Sequence, residues 1–299
     1  MKVTPLPEVE PGSGPRSVAV GTFDGVHLGH REVIRGNDTV LTFEPHPLAV
    51  LHPEATPKLV TPFPVKRDLI EGLGVGELVV VPFDRDFAAL SAERFVSDVL
   101  TGRLGAHRVS VGENFRFGRG AKGTADLLRS HDEFETRVVP LVEVSGETVS
   151  SSHIRGLVAA GDVRHAAEFL GGPFLFEGEV VTGDRRGREL GMPTANIVPD
   201  DALVCPGHGV YAAWAHGYPA AVNVGVRPTF ATGRGLLVEA HLIGFDGDLY
   251  GETLRIAFIE RMRGEKRFES VDALVEQMHR DVAQAREITE TTSFPAAAS

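Results

Sequence analysis

The sequence predicts an α/β module built on a mainly parallel sheet, followed by a smaller antiparallel β module closed by a helix. Three observations carry this. Between residues 17 and 170 short apolar runs alternate with helical stretches. From Gly171 onward β-like runs follow one another between Gly, Pro and Asp. Ser270 to Ile288 then repeats apolar residues (Val271, Leu274, Val275, Met278, Val282) at helical spacing. Alternating strands and helices predict a parallel sheet covered on both faces. Regularly spaced strands with turn signals predict an antiparallel sandwich or barrel.

In order, Ser17 to Gly21, Thr39 to Phe43, Glu77 to Pro82 and Arg108 to Gly112 read as buried strands, and Thr136 to Val144 contains a fifth. Val65 to Leu73, Ser91 to Leu100 and Ala125 to His131 read as helices, the second opened by a capping Ser91. Val149 to Leu170 reads as one or two more, with Gly161-Asp162 as a break. In the second half Phe174 to Val181, Gly209 to Ala215, Ala220 to Gly225, Leu236 to Ile243 and Thr253 to Phe258 read as strands. The tail, Thr291 to Ser299, reads as disordered. No internal repeat relates the halves, which predicts two different domains, 1–172 and 173–299.

With 42% hydrophobic and 24% charged residues in 299, each half can build a core. A net charge of -11 argues against nucleic acid or an anionic membrane as the main partner. Anions must then be met by local basic groups, backbone amides or a metal ion. The single cysteine, Cys205, excludes an internal disulfide and a cysteine-cluster metal site and suits a reducing compartment. Met1 to Pro15 lacks a signal-peptide core, and no run approaches a membrane span. The expectation is a soluble cytoplasmic protein.

The first strand runs into Gly21-Thr22-Phe23-Asp24-Gly25-Val26-His27-Leu28-Gly29-His30. Gly21 and Gly25 let the backbone turn tightly and approach a phosphate. His27 and His30, three apart at a helix start, share one face of its first turn. Free N–H groups and the positive dipole end make that a place for an anion. Later, Ser151 and Ser152 offer hydroxyls at another helix start, and Arg155 can chelate a phosphate.

These residues resemble the His-x-Gly-His nucleotidyltransferases, whose fold is Rossmann-like. Within that group they look most like the FAD synthetase module of bacterial bifunctional riboflavin kinase/FAD synthetases. Thr42-Phe43-Glu44-Pro45-His46-Pro47, Val111 to Gly118 with Gly120 and Gly123, and Ser150-Ser151-Ser152-His153-Ile154-Arg155 extend the likeness; Ser152 stands where that family carries Thr. The resemblance implies that Gly21, Phe23, Gly25, His27, His30, Ser151, Ser152 and Arg155 surround the ATP phosphates, with His27, His30 and Arg155 catalytic. It implies that Phe43, Pro45, Pro47, Asn114 and Phe115 lie near the flavin. Among Phe43, Phe115 and Phe117 at least one is expected to be core. Arg31 to Leu41 is shorter than that family's usual connection, so its helix should have only about two turns, ending near Gly36-Asn37.

In the second half, the loop Thr182 to Gly191 is basic and glycine-rich, through Gly183, Gly187 and Gly191, and reads as either a flap over phosphates or an exposed hairpin loop. It enters Met192-Pro193-Thr194-Ala195-Asn196, where Pro193 stiffens the approach. Thr194 and Asn196 are neutral oxygen donors acceptable to Mg²⁺ that also binds nucleotide phosphates. Leu237 to Leu242 alternates, so Glu239 and His241 share a face, and Glu239 can act as a base toward a hydroxyl. With Asn223 to Phe230, Phe245 to Gly251 and Arg263 to Phe268, this half resembles the riboflavin kinase domain from about Glu177 to Ile288. That resemblance implies a six-stranded Greek-key barrel with a terminal helix. It implies Mg-ATP on Thr194 and Asn196 under the glycine loop, flavin near Arg263 and Phe268, and Glu239 activating the ribityl 5′-hydroxyl. Asp246, Asp248 and Tyr250 are read as a turn.

The expected function is ATP-dependent phosphorylation of riboflavin to FMN and adenylylation of FMN to FAD with pyrophosphate release. Two other readings stand beside it: a riboflavin kinase with an inactive first half, and a flavin-sensing regulator.

Overall fold

The computed structural model describes residues 1–182, 192–226 and 235–292. They divide into two compact units: Met1–Pro57 with Lys66–Ser150, and Lys58–Val65 with the chain from Ser151 on.

The first unit carries strands β1 (Lys2–Pro5), β2 (Arg16–Val20), β3 (Thr39–Glu44), β4 (Glu77–Pro82), β5 (Ala106–Gly112) and β6 (Glu135–Val139). They form one parallel sheet in the order β1-β4-β3-β2-β5-β6. The helices between them are α1 (Leu28–Ile34), α2 (Pro47–Leu51), α3 (Phe63–Glu71), α4 (Arg85–Ala88), α5 (Ala92–Arg94) and α6 (Ala125–Arg129); a small hairpin follows, β7 (Glu143–Val144) and β8 (Glu147–Thr148). Ser91 does cap α5, accepting from the Arg94 amide at 3.2 Å, and the helix continues as a π-helix over Phe95–Arg103. Val18, Leu41, Val79, Val109 and Val111, all with 0% exposure, fill the core from the strands. Edge strand β1 was not expected. It is too short and proline-bounded to show a period, and its register against β4 supplies what its own sequence lacks.

From β2 the chain moves to β3 and β4 on one side and later to β5 and β6 on the other. The order therefore reverses between β2 and β5. Open parallel sheets bind ligands in the crevice beyond the carboxyl ends of the strands at such a point.

The second unit opens with α7 (Ser151–Ala160) and α8 (Val163–Leu170), broken at Gly161-Asp162 as expected. A closed barrel follows from β9 (Phe174–Val181), β10 (Ala195–Ile197), β11 (Gly209–Ala215), β12 (Tyr218–Val226), β13 (Leu236–Leu242) and β14 (Thr253–Arg263), and α9 (Val271–Glu290) ends it. The cyclic order β10-β13-β12-β11-β14-β9 includes a meander whose returning strand pairs with its first member, a Greek key. Phe174, Phe176, Tyr211 and Phe258 fill the barrel unit's core. The Tyr250 amide donates to Asp248 at 3.0 Å, in the expected turn.

Helix α9 lies over β11 and β12, where Ala285, Val282 and Ile288 pack with Ala212, Ala221 and Met262. Its first residue, Val271, is 62% exposed, because the surface to be covered lies under the later turns. There Asp281 takes the Arg263 guanidinium with two oxygens, at 3.0 Å from Nε and 2.7 Å from Nη2, and Gln277 donates to the same carboxylate at 2.9 Å. Such a fork fixes direction as well as distance.

Removing one partner of a buried pair leaves the other charge uncompensated and costs about 3 kcal/mol or more. Asp281→Ala should therefore lower the denaturation midpoint of the second unit. The protein's one tryptophan, Trp214 on β11, reports that transition by its fluorescence.

Candidate active sites

In the first unit the loop after β2 brings the phosphate-motif residues to the switch point. Phe23 and Val26 take left-handed φ values of 51° and 42°, strained for residues with a Cβ, and Gly25 takes 90° between them. This sharp path turns the Phe23 ring inward; a Cβ on Gly21 would stand 3.0 Å from it. Phe23 is buried and meets the His30 ring edge-on at 5.4 Å.

His27 is the N-cap of α1: its Nδ1 accepts from the His30 amide at 3.2 Å. In the neutral ring the proton then sits on Nε2. The His27 and His30 rings stack at 3.5 Å and 15°. Burial depresses the His27 imidazole to about 4. His30 is held well below the ordinary histidine value by burial first, then by His27 and the Lys66 ammonium. Both imidazoles are thus neutral at neutral pH and act as hydrogen-bonding groups, not cations. His30 Nδ1 is buried without a hydrogen-bond partner among the described residues.

The helix has two turns, as the short connection required, with Gly36 at φ 72° beyond it. Phe43, in the buried part of β3, packs edge-on against Phe83 at 5.9 Å; Phe117 is core and stacks on the half-buried Phe115 at 5.6 Å. Pro45 and Asn114 are exposed and Pro47 half-buried, just past the carboxyl ends of β3 and β5. Ser151, Ser152 and Arg155 lie on α7 in the second unit, where Arg155 Nε donates to the Lys58 carbonyl and Nη1 lies 3.5 Å from Ser152 Oγ.

Lys66 is a buried cation beside the motif loop that the motifs did not reveal. It is 5% exposed, with Nζ 3.3 Å from Glu44 Oε2 and 3.4 Å from the Thr22 carbonyl oxygen. The available signal was its place one helical turn before the buried Ile70 on α3.

In the second unit a row of polar residues crosses neighbouring strands. Asn196 on β10 pairs in register with Glu239 on β13, which pairs with Asn223 on β12. Asn223 Nδ2 donates to Glu239 Oε2 at 3.3 Å. The Asn196 amide nitrogen donates to the Thr194 carbonyl at 3.3 Å, which turns Oδ1 the other way; that oxygen is buried without a partner among the described residues. A neutral, orphaned oxygen two residues from the Thr194 hydroxyl in sequence fits a hard cation that brings most of its other ligands with it. Among the described residues no three His, Cys, Asp or Glu side chains stand together to hold a metal by themselves. His241 Nδ1 lies 2.8 Å from the Pro193 carbonyl oxygen and joins the loop before β10 to β13. Arg263 carries the Asp281 pair, with its Cζ 6.0 Å from the Phe268 ring centroid. Gly183, Gly187 and Gly191, the segment Arg227 to Phe230 and the tail from Ser293 lie outside the described residues.

A phosphate-motif crevice in a parallel sheet and a barrel carrying a carboxylate beside an orphaned oxygen define a transferase with two centres. The FAD synthetase family profile matches residues 11–153 and the riboflavin kinase profile residues 170–289. A curated relative from Escherichia coli (strain K12), a bifunctional riboflavin kinase/FMN adenylyltransferase, is 37% identical over 288 residues, covering 90% of this chain and 91% of its own. One of the same description from Bacillus subtilis (strain 168) is 36% identical, covering 90% of each. A solved Streptococcus pneumoniae structure described as a macrolide-efflux protein is 32% identical with a TM-score of 0.85, over 96% of this chain and 99% of that one. The chain belongs to the bifunctional riboflavin kinase/FMN adenylyltransferase family. It phosphorylates riboflavin to FMN with ATP and adenylylates FMN to FAD, and the paired profiles favour this over a kinase with an idle first half or a flavin sensor.

The buried His27 has a stability consequence. Its unfolded imidazole takes up a proton near the ordinary 6.5 and its folded one only at about 4. The unfolded state binds the proton first, so this contribution is full above 6.5 and is lost as pH falls toward 4. Thermal unfolding followed across this window should show the loss, and His27→Asn, which keeps a capping side chain, should flatten it.

Proposed function

We propose that residues 1–172 carry the adenylyltransferase centre and residues 173–299 the kinase centre, each with the residues named from the sequence. The observation that carries the kinase reading is the row Asn196, Glu239, Asn223, which sets a carboxylate next to an orphaned amide oxygen. Glu239 takes the proton of the ribityl 5′-hydroxyl as that oxygen attacks the γ-phosphorus of ATP. The bond to ADP breaks and FMN forms. A positioned base of this kind contributes on the order of 10²–10⁴-fold. Thr194 and Asn196 would hold Mg²⁺ arriving with ATP, and the ion would supply charge neutralisation. Arg263 and Phe268 border the flavin, and Gly183, Gly187 and Gly191 belong to the loop over the phosphates.

In the first centre the FMN phosphate is itself the nucleophile: its oxygen attacks the α-phosphorus of ATP and pyrophosphate leaves. No base is needed. His27 and His30 donate to phosphate oxygens as neutral imidazoles, with Gly21, Phe23 and Gly25 in the same loop; the family resemblance also assigns Ser151, Ser152 and Arg155 to the ATP phosphates. Phe43, Pro45, Pro47, Asn114 and Phe115 border the flavin. The acidic net charge supports small anionic substrates met by local groups, not nucleic acid or a membrane surface. No helix among the described residues is long and apolar enough to cross a membrane, and one reduced cysteine suits the cytoplasm, where we place the protein.

Product analysis separates the centres. With riboflavin and Mg-ATP, Glu239→Gln should lose FMN formation by about 10²–10⁴-fold yet convert supplied FMN to FAD at the wild-type rate. His27→Ala should keep making FMN while FAD formation falls by about 10²–10³, the usual loss for one donor to transition-state charge. A folded Glu239→Gln variant lacking both activities would contradict the division.

A further inference from the structure

We infer that Asn223 is a positioning residue of the kinase reaction, acting through the carboxylate of Glu239; the inference rests on the reading of Glu239 as the base. Residues two apart on a strand share a face, and Asn223 shares its face with Ala221, which α9 covers. Its neighbours Val222 and Val224 point the other way and are fully buried, so they lock the strand's rotation and the direction of the Asn223 side chain. On β13, Val238 and Ala240 do the same for Glu239. Direct cross-strand partners stand only about 5 Å apart at Cβ, the distance a short amide can bridge.

Asn223 is also the side chain available for this task. Among the described residues it is the one that hydrogen-bonds Glu239. The Asn196 amide, on the other side of Glu239, is committed to the Thr194 carbonyl, and His241, two residues along the same strand, to Pro193. On the far side the row passes Val210 to Arg263, whose guanidinium Asp281 holds. Glu265 approaches the same region: its Oε1 stands 2.8 Å from where a Cβ on Gly225 would lie, and its Oε2 is 3.6 Å from His208 Nδ1. Glu239 thus has one neutral donor beside it and charged groups farther along the row. A donated hydrogen bond fixes which oxygen faces the substrate hydroxyl. An unheld glutamate would sample rotamers in which neither oxygen is aligned.

The test is kinase kinetics on the full chain, with FMN-to-FAD conversion as the internal measure of an intact protein and Trp214 fluorescence as that of a folded barrel. Asn223→Ala should lower kcat for FMN formation on the order of 10-fold with little change in KM for ATP. Asn223→Asp, similar in shape but with a repelling charge in place of the donor, should lower kcat further. Added to Glu239→Gln, Asn223→Ala should cause no further loss, since a residue acting through Glu239 has nothing left to act on. An additive loss in the double variant, or wild-type kcat in folded Asn223→Ala and Asn223→Asp, would overturn the inference. If Glu239→Gln itself kept wild-type kinase activity, the fault would lie with the base assignment instead.

Discussion

Closing six strands into one barrel leaves little freedom in how residues align across the sheet, and the proposed kinase centre depends on that alignment. A slip of one residue would turn Glu239 to the opposite face and separate it from both Asn196 and Asn223. What prevents the slip is apolar: Val222, Val224, Val238 and Ala240 fill the buried side of the same strands. The weakest member is β10, with only three residues. It is held partly by β9, where Gly178 makes the approach possible, since a Cβ there would stand 2.5 Å from the Ile197 side chain. The residue next to Ile197 is Asn196. A glycine on one strand thus sets the position of an oxygen donor on the next.

The first centre is organised by a turn instead of a register. Its phosphate-motif loop bends where three consecutive strands would otherwise leave only backbone ends. The cost is left-handed backbone at Phe23 and Val26. The return is a pair of stacked histidines whose ring orientation is fixed at three points. The His30 amide fixes His27, Phe23 meets His30, and Gly29 leaves room for the His27 ring, which a Cβ would approach to 3.3 Å. Burial then decides the charge. With the imidazoles neutral, the ammonium of Lys66, balanced by Glu44, is the buried cation beside them.

The fold was legible wherever burial imposes a period or glycine breaks one. β2 to β5, the α7–α8 break at Gly161 and five of the barrel strands all follow from that. β1 and β10 were missed for one reason: strands of four and three residues are too short to show alternation, and partners define them. The candidate site was legible in part. His27, His30, Thr194, Asn196 and Glu239, the residues of the proposed centres, stand out in the sequence because their residue types sit in tight strings. Asn223 appeared in such a string without a role, since its function needs the register between β12 and β13, a relation sixteen residues apart that no local pattern contains. Lys66 was invisible for the opposite reason: a lysine on an amphipathic helix is ordinarily solvated, and only the fold brings it, buried, to Glu44 and the Thr22 carbonyl.

The two centres also differ in what their nucleophiles demand. Riboflavin offers a neutral hydroxyl, which must lose a proton as it attacks, so the kinase centre needs an ionised acceptor and a means of holding it. FMN offers a phosphate that is already an anion, so a carboxylate in the adenylyltransferase centre would repel the substrate it is meant to help. The residues divide accordingly. Glu44, whose partner Lys66 acts on His30, is bound in an ion pair, while among the described residues Glu239 has a neutral amide against it. On the proposed assignment of the two centres, a chain with a net charge of -11 handles two polyphosphate reactions by cancelling charge locally where phosphate enters and leaving it available where a proton is taken. That difference follows from the order of the chemistry, since the product of the first reaction carries the anionic nucleophile that the second requires.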